Sequence, residues 1–146
     1  MPHARLVGVD LSPDYVAHAR KSIKHRDLSL LVGNGEALEF PDESFDAVTS
    51  TFLFHELPRR VRRRVVAEMV RVCKPGGLVV IADATQERDA GELGPLLHAF
   101  HRSLHEPFFE DHLEDPIEDY VAAQGVAVRR VEQAYVAKVV VGAKGL

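Results

Sequence analysis

Two polar residues stand directly after apolar, strand-like runs and have side chains that suit a nucleoside. Asp10 follows the run at residues 6–9, and Asn34 lies in the glycine-flanked turn after residues 28–32. A carboxylate can accept two hydrogen bonds from the vicinal hydroxyls of a ribose, and an amide oxygen can accept one from an exocyclic amine. The alternative is structural: Asp10 and Ser12 would only cap the next helix, and Asn34 would only be a turn residue.

The elements that must position these residues alternate along the chain. Apolar or β-branched runs predict strands at residues 6–9, 28–32, 45–54, 78–82, 126–131 and 135–141. Apolar residues at helical spacing predict helices at residues 15–23, 59–73, 93–104 and 117–123. This order predicts an α/β fold with a doubly wound, mostly parallel sheet and an antiparallel C-terminal strand. Ligands bind beyond the carboxyl ends of such strands, so Asp83, which follows the strand at 78–82, belongs with Asp10 and Asn34.

Five segments, taken in order and spacing, resemble a known family. They read VDLSP at 9–13, GNGEAL at 33–38, FPDESFD at 40–46, HEL at 55–57 and RVCKPGG at 71–77. The set resembles the class I S-adenosylmethionine-dependent methyltransferases, in particular the small-molecule, type 11-like enzymes similar to those of quinone biosynthesis. The resemblance runs from residue 3 to about residue 84. It implies a Rossmann-like fold, S-adenosyl-L-methionine as cofactor and methyl transfer to a small-molecule acceptor.

By position, the resemblance assigns five residues to the nucleoside end of the cofactor. Asp10 matches the acidic residue that holds the ribose diol, and Leu11 matches the side chain against one adenine face. Asn34 stands where the family usually has aspartate for the adenine amino group, so we expect a contact that is kept but weakened by the loss of charge. Gly35 and Glu36 lie in the same adenine loop.

The resemblance places three further residues near the reacting centre. Thr51 and Phe52 match the segment beside the methionine part of the cofactor. His55 falls close to where the acceptor meets the cofactor and is the candidate catalytic residue, with a structural or surface histidine as the alternative. Methyl transfer from a sulfonium depends mostly on alignment and exclusion of water. A general base is needed only when the nucleophile must lose a proton.

The first strand of the family and its glycine-rich loop have no counterpart in the sequence. That loop has the form Asp/Glu-x-Gly-x-Gly-x-Gly and carries the methionine end of the cofactor on backbone amides. We therefore expect residues 1–146 to form a single, N-terminally truncated domain, with a helical cap at 91–124. The missing strand is central in the family, so its loss would expose two apolar strand edges. We consider three explanations: a fragment or mis-started gene, a subunit completed by another chain, and a remodelled protein whose two orphaned strands pair with each other or with a second copy. For the isolated chain we expect self-association.

Two other functions compete with methyl transfer. A non-catalytic module for binding or assembly would keep the scaffold without the cofactor loop. A nicotinamide-dependent oxidoreductase shares the acidic strand end, but its glycine fingerprint is missing as well.

Charged and histidine clusters suggest further partners. The five arginines within residues 59–64 could contact nucleic acid, but the acidic total favours a solvated helix face. Residues 106–119 hold seven carboxylates and no Lys or Arg. This acidic stretch would face a cationic substrate, pair with the arginines of a neighbouring subunit, or be solvated. His98, His101 and His105 share a helical face, and we expect a cap that lines the acceptor pocket rather than a metal site.

The composition is that of a globular protein without disulfides. The chain has 146 residues, a formal net charge of −4, 46% hydrophobic residues and one cysteine. One cysteine cannot form an internal disulfide framework, and no apolar run reaches the roughly 18 residues of a membrane helix. We expect a cytoplasmic protein without a membrane segment, and we expect Cys73 to be buried and inert.

Overall fold

The computed structural model describes residues 4–104 and 106–146. They divide into two compact units, one that ends at Glu39 and one that runs from Phe40 to Leu146. Each unit is described by itself. A single domain over residues 1–146 with a cap at 91–124 stays a prediction.

The first unit is a strand, a helix and a second strand. Strand β1 (Leu6–Asp10) leads through a short turn to helix α1 (Pro13–Ser22), and strand β2 (Leu28–Val32) pairs in parallel with β1. The hydroxyl of Ser12 caps the helix by accepting the N–H of Tyr15 at 3.3 Å. Sequence pattern predicted all three elements.

Strands β1 and β2 carry apolar side chains that remain accessible to solvent. Between about a third and a half of each is exposed, although α1 packs against the two strands. These residues are Leu6, Val7, Val9, Leu31 and Val32. Parallel sheets are usually covered on both faces, so this exposure is unusual. The prediction that a second copy or a complementing chain covers such strands stays a prediction.

The second unit contains a four-stranded mixed sheet. Its strands are β3 (Phe45–Thr51), β4 (Cys73–Ala84), β5 (Val126–Ala134) and β6 (Ala137–Lys144), in the order β3-β4-β6-β5. Strands β3 and β4 are parallel, and β6 is antiparallel to both of its neighbours. The predicted α/β fold with an antiparallel C-terminal strand is confirmed. Among the described residues the six strands form two sheets, because β1 and β2 pair only with each other.

Helices connect these strands. They are α2 (Arg59–Val72), α3 (Glu87–Ala90), α4 (Gly94–Leu104), α5 (Phe109–Leu113) and α6 (Ile117–Ala122), with single 3₁₀ turns at Phe54–Glu56 and Gly91–Leu93. The predictions for α2, α4 and α6 are confirmed to within a residue at each end. Helices α3 and α5 were not predicted, because four or five residues carry too little periodicity.

The core of the second unit lies between α2 and the sheet. The apolar stripe of α2 buries Val65, Met69 and Val72, and Val66 is buried beside them. The stripe packs against Val79 and Ile81 of β4 and other buried residues, which are Phe54, Ile117, Tyr120, Val121, Val126 and Val140. The four-residue spacing of the stripe therefore fixes which side of α2 faces the sheet.

Two glycines explain the Lys-Pro-Gly-Gly sequence at the start of β4. Gly76 has a φ of +72°, a conformation that glycine adopts at little cost. A Cβ on Gly77 would lie 2.7 Å from Sγ of Cys73 and 2.9 Å from the carbonyl oxygen of Asp46. Cys73 is fully buried as expected, and burial raises the pKa of its thiol. The motif is thus needed for close packing at the point where β4 meets β3.

The C-terminal hairpin turns later than predicted. The turn was expected at residues 132–134, but Ala134 pairs with Ala137, so Tyr135 and Val136 form a two-residue loop. Tyr135 has a φ of +57°, which such loops require. No Gly or Asn marks the turn in the sequence, and its β-forming residues concealed it.

The arginines of α2 and the acidic stretch at 106–119 pair within one chain. Arg62 is fully buried and donates from Nη1 to Asp111 at 2.9 Å and to Asp115 at 3.0 Å. Its Nε and Nη2 donate to the carbonyl oxygens of Phe54 and Phe108, each at 3.0 Å. A solvated helix face was the wrong expectation for Arg62, because it lies one turn before Val65 on the buried side of α2.

Neighbouring charges strengthen this cluster. Arg63 donates to both oxygens of Asp115, at 2.9 and 2.5 Å, and Arg59 pairs with Asp111 at 2.7 Å. Burial alone would raise the pKa of Asp115, but the hydrogen bonds from Arg63 and Arg62 outweigh burial and lower it. The carboxylate is therefore ionised, and it joins α2 to the residues around α5.

A second buried cation connects β6 to the acidic stretch. Lys138 is fully buried and its Nζ lies 2.5 Å from Asp89 and 2.6 Å from Glu118. Arg88 pairs with Asp119 at 2.8 Å. Four of the seven carboxylates thus pair with cations of the same chain, and no neighbouring subunit is needed to explain them.

Across the described ranges, no helix is long and apolar enough to span a bilayer.

Replacing Arg62 tests whether this cluster holds the second unit together. Arg62→Met removes a buried cation and leaves the carbonyl oxygens of Phe54 and Phe108 without the Arg62 donor, while Asp115 keeps only its pairing with the neighbouring arginines. We expect the free energy of unfolding to fall by about 3–5 kcal/mol. Urea denaturation measures it, with the exposed Arg60→Met as a control expected within about 0.5 kcal/mol of the parent chain. Equal losses in the two variants would show that the buried cluster is not stabilising.

Candidate functional site

The carboxyl ends of β1 and β2 bring Asp10 and Asn34 into one pair of linked turns. The Asp10 carboxylate accepts the N–H of Ser12 at 2.7 Å, and its backbone carbonyl accepts the N–H of Gly33 at 3.0 Å. The side-chain oxygen of Asn34 accepts the N–H of Glu36 at 2.9 Å. Both side chains therefore hold local turns, as the structural alternative predicted.

These turns still leave groups that fit a nucleoside. The structure gives Oδ2 of Asp10 no hydrogen bond within the described ranges, and Asp10 is exposed. The oxygen of Asn34 has a second lone pair, and its amide group can also donate. Leu11 is 71% exposed and offers an apolar surface to a flat base. A Cβ on Gly33 would lie 2.9 Å from Cγ1 of Val9, so only glycine lets the two strand ends approach this closely.

Gly35 and Glu36, the other residues assigned to the adenine loop, come directly after Asn34 in the chain. Gly35 and Glu36 form a turn that closes with the N–H of Ala37 on the backbone carbonyl of Asn34, at 3.0 Å. The first unit thus collects Asp10, Leu11, Asn34, Gly35 and Glu36 at its strand ends. The other predicted residues, Thr51, Phe52 and His55, belong to the second unit.

Strand β3 ends in a strained residue. Thr51 is its last residue, and Phe52 follows with a φ of +49° while its N–H donates to the carbonyl of Ala82 at 2.8 Å. This conformation is uncommon for a non-glycine residue and costs on the order of 1–3 kcal/mol. The side chain of Phe52 is 52% exposed.

Asp83, the second-last residue of β4, organises the segment after Phe52. Its carboxylate is fully buried and accepts the backbone N–H groups of Leu53 at 2.8 Å, Phe54 at 2.7 Å and Ala84 at 2.9 Å. Burial would raise its pKa, but hydrogen bonds from His55 and Ala84 outweigh burial and lower it. A buried, ionised carboxylate therefore stands at the carboxyl end of the sheet.

His55 is the side-chain partner of that carboxylate. Its Nδ1 lies 2.7 Å from Oδ1 of Asp83, and its side chain is only 11% exposed. Because the ionised Asp83 can only accept, Nδ1 carries the proton and Nε2 of the neutral ring has a lone pair. Burial disfavours the imidazolium, but the hydrogen bond and charge of Asp83 and the charges of Glu106 and Glu56 outweigh burial. The pKa of His55 is raised above 6.5.

Aromatic rings surround His55. The ring centroids of Phe52, Phe109 and His112 lie 6.3, 5.9 and 6.2 Å from that of His55. Nε2 of His112 lies 3.1 Å from the carbonyl of Ala84, so this nitrogen donates. Burial is the main cause that lowers the pKa of His112, so its ring is neutral. His55 and His112 thus stand side by side in different charge environments.

The sequence reasoning found part of this site. Asp83 was singled out as a strand end, and a parallel β3-β4 pair would have predicted that it meets the segment after β3. Phe109 and His112 were missed, because α5 is short and lies in a stretch noticed only for its charge. The sequence analysis grouped three histidines on one helical face. Nε2 of His98 lies 3.8 Å from Oε1 of Glu87. His105 lies outside the described residues, and only the backbone of His101 is described. No group of three potential metal ligands occurs among the described side chains.

Comparisons with known proteins agree with this architecture. A family described as a methyltransferase domain matches residues 1–81. A phosphatidylethanolamine N-methyltransferase of Cereibacter sphaeroides is 38% identical over 101 residues, which are 66% of this chain and 48% of that protein. A demethylmenaquinone methyltransferase of Listeria welshimeri is 37% identical over 93 residues, 62% of this chain and 39% of that protein.

A solved structure shares the fold at low sequence identity. Human N-acetylserotonin methyltransferase in complex with SAM superimposes with a TM-score of 0.75 at 14% identity, over 99% of this chain and 42% of that one. The chain spans about half the length, or less, of the curated relatives that it matches. Because the family match covers more than half of the 146 residues, the chain belongs to the methyltransferase-domain family of class I S-adenosylmethionine-dependent methyltransferases.

Proposed function

We propose that this chain binds S-adenosyl-L-methionine and serves methyl transfer to a small-molecule acceptor. The observation that carries the proposal is the pair of turns after β1 and β2. There Asp10 keeps one carboxylate oxygen available while its other oxygen holds the turn. A charged acceptor oxygen of this kind suits a ribose diol. The names of the two curated relatives, both methyltransferases, support the same reaction.

In this proposal each candidate residue is assigned to one part of the cofactor. Asp10 would accept the ribose hydroxyls, Leu11 would cover one face of the adenine, and Asn34 would accept from the adenine amino group. The backbone around Gly35 and Glu36 would complete the adenine loop. The resemblance assigns Thr51 and Phe52 of the second unit to the methionine part of the cofactor.

A partner is the second part of the proposal. The exposed apolar residues of β1 and β2 favour a further strand, supplied by a second copy or by a complementing chain. The same exposure favours the competing function, a non-catalytic module that acts in assembly. Binding of the nucleoside separates the two functions, because an assembly module without cofactor would use the Asp10 carboxylate only for its turn with Ser12.

Calorimetric titration with S-adenosylhomocysteine tests the nucleoside contact. Asp10→Asn keeps an oxygen for the N–H of Ser12 but removes the charge that would face the ribose. Hydrogen bonds to a charged group contribute about 1.5–3 kcal/mol, so we expect affinity to fall about 10- to 100-fold. Asp14→Asn, on the first turn of α1, is the matched control and should stay within about twofold. If the unchanged chain gives no heat at millimolar ligand, or if both variants bind alike, the proposed contact is wrong.

A pair of substitutions at Phe52 separates backbone strain from the role of the ring. Glycine adopts a φ of +49° without the cost that alanine has there, so Phe52→Gly should be more stable than Phe52→Ala by about 1 kcal/mol. Both variants lack the aromatic ring, so they should lose the same share of S-adenosylhomocysteine affinity. Thermal unfolding and calorimetry measure the two effects. A more stable alanine variant would rule out strain at this position.

A further inference from the structure

We propose that His55 is the general base of this methyl transfer, that Asp83 is its positioning residue, and that the acceptor is an amine bound as its ammonium ion. The inference rests on the proposed function and adds to it the chemical class of the acceptor. It starts from the His55–Asp83 pair and from the charges that face that pair.

The geometry of the pair fixes the tautomer that a base needs. Asp83 cannot turn away, because three backbone N–H groups hold its carboxylate at 2.7 to 2.9 Å. Its Oδ1 takes the Nδ1 proton of His55 at 2.7 Å. The lone pair of the neutral ring is therefore on Nε2. This is the arrangement by which a carboxylate orients a catalytic imidazole.

A purely structural histidine would use its second nitrogen as well. Within the described ranges, Nε2 of His55 has no hydrogen-bond partner, and the nearest recorded carboxylate oxygen, on Glu56, is 3.9 Å away. The strained residue Phe52 stands beside this ring, and strain of this kind is concentrated at functional sites. Both observations favour a ring whose Nε2 is kept for a ligand.

The charges that face His55 select the kind of ligand. From β4 it is faced by Asp83, from its own 3₁₀ turn by Glu56, from the segment before α5 by Glu106, and from α5 by the neutral His112. All three charged groups are carboxylates. The nearby cation Arg62 is directed at the carbonyl of Phe54 and at two aspartates. A negative surrounding favours an ammonium ion and disfavours an anionic nucleophile such as a phenolate.

Glu106 provides a second observation that points to a ligand. Its Oε2 is buried and has no hydrogen-bond partner within the part of the chain that the structure describes. A buried carboxylate oxygen without a donor is costly. An ammonium group has three N–H donors, and it could supply the missing one to Glu106 while it presents another to Nε2 of His55.

One N–H bond of the bound ammonium breaks, and its proton moves to Nε2 of His55, which becomes an imidazolium held by Asp83. The freed nitrogen lone pair forms an N–C bond with the methyl carbon of the sulfonium as the C–S bond breaks, and that electron pair stays on sulfur. The products are a methylated ammonium, a thioether and the imidazolium, which then releases its proton to solvent. Total charge is +2 before and after.

The proposal has a pH signature with a defined sign. The base works only when His55 is neutral, so the rate should rise with pH through the pKa of His55, which lies above 6.5. Asp83→Asn removes the main influence that raises this pKa. In that variant the rise should move to lower pH, and the plateau should fall because the amide no longer fixes Nδ1–H.

Nuclear magnetic resonance of the full chain tests the pair without any acceptor. We expect His55 to titrate above 6.5 and His112 below it, with the neutral form of His55 protonated on Nδ1. Asp83→Asn should lower the pKa of His55, because it removes the charge that favours the imidazolium. A His55 ring protonated on Nε2, or a titration unaffected by Asp83→Asn in a folded variant, would overturn the positioning role.

Transfer of labelled methyl groups tests the base and the acceptor class. The probes are a short-chain phosphatidylethanolamine as the amine and 1-naphthol as the phenol. We expect methylation of the amine, a loss of about 100-fold or more in kcat for His55→Gln, and no such loss for the control His25→Gln, at an exposed position before β2. S-adenosylhomocysteine affinity should be the same in both variants. If that affinity is absent from the unchanged chain, the proposed function fails instead.

Three results would overturn the inference while the proposed function stands. The first is methylation of the phenol alone by a chain that binds the nucleoside. The second is methylation of neither probe by such a chain. The third is a His55→Gln variant that retains kcat to within a few-fold.

Discussion

The buried carboxylate of Asp83 is the group on which the end of the four-stranded sheet depends. It accepts four backbone N–H groups and one imidazole N–H, and each of these belongs to a segment that would otherwise have to find its own partner. The 3₁₀ turn after β3, the position of His55 and the ring of Phe52 all follow from it. Burial of a charge is costly unless it is fully hydrogen-bonded, and here every bond is made.

The arginine cluster has the complementary role of holding α5 against the same turn. Arg62 donates to the carbonyl of Phe54, to Asp111 within α5 and to Asp115 just after it. Since Phe109 and His112 stand on α5 and contact His55, the cluster places two of the three rings around it. Asp83 accepts the backbone N–H of Phe54, and Arg62 donates to the carbonyl oxygen of the same residue. The two buried charges therefore hold the same 3₁₀ turn and together define the surroundings of His55.

Much of this arrangement could be predicted from the sequence, for a physical reason. Regular elements can be recognised by their periodicity, so α1, α2, β1 and β2 were predicted close to their observed bounds. Strand β4 instead begins at Cys73, five residues before its predicted start, because the Lys-Pro-Gly-Gly segment was expected to be a turn. The acidic and amide residues at strand ends were found because a parallel sheet brings such ends to one edge. The cap at Ser12 and the glycines at 76–77 could be recognised from their residue types.

Other features lacked a local signal. The pairing of Arg62 with Asp115 joins residues 53 positions apart, and nothing in a run of arginines shows which one is buried. The turn at Tyr135 is made by residues that favour strands, and α5 is too short for its period to be seen. The contact between His55 and Asp83 depends on which strands are neighbours in the sheet. A sequence pattern predicts that a strand exists, but it says little about which strand lies beside it.

A crystal structure of the full chain with S-adenosylhomocysteine would test the central claim most directly. We predict ribose hydroxyls on the Asp10 carboxylate, the adenine amino group at Asn34, and His55 still bound to Asp83 through Nδ1. A nucleoside bound away from Asp10, or a His55 ring that has left Asp83, would contradict the account.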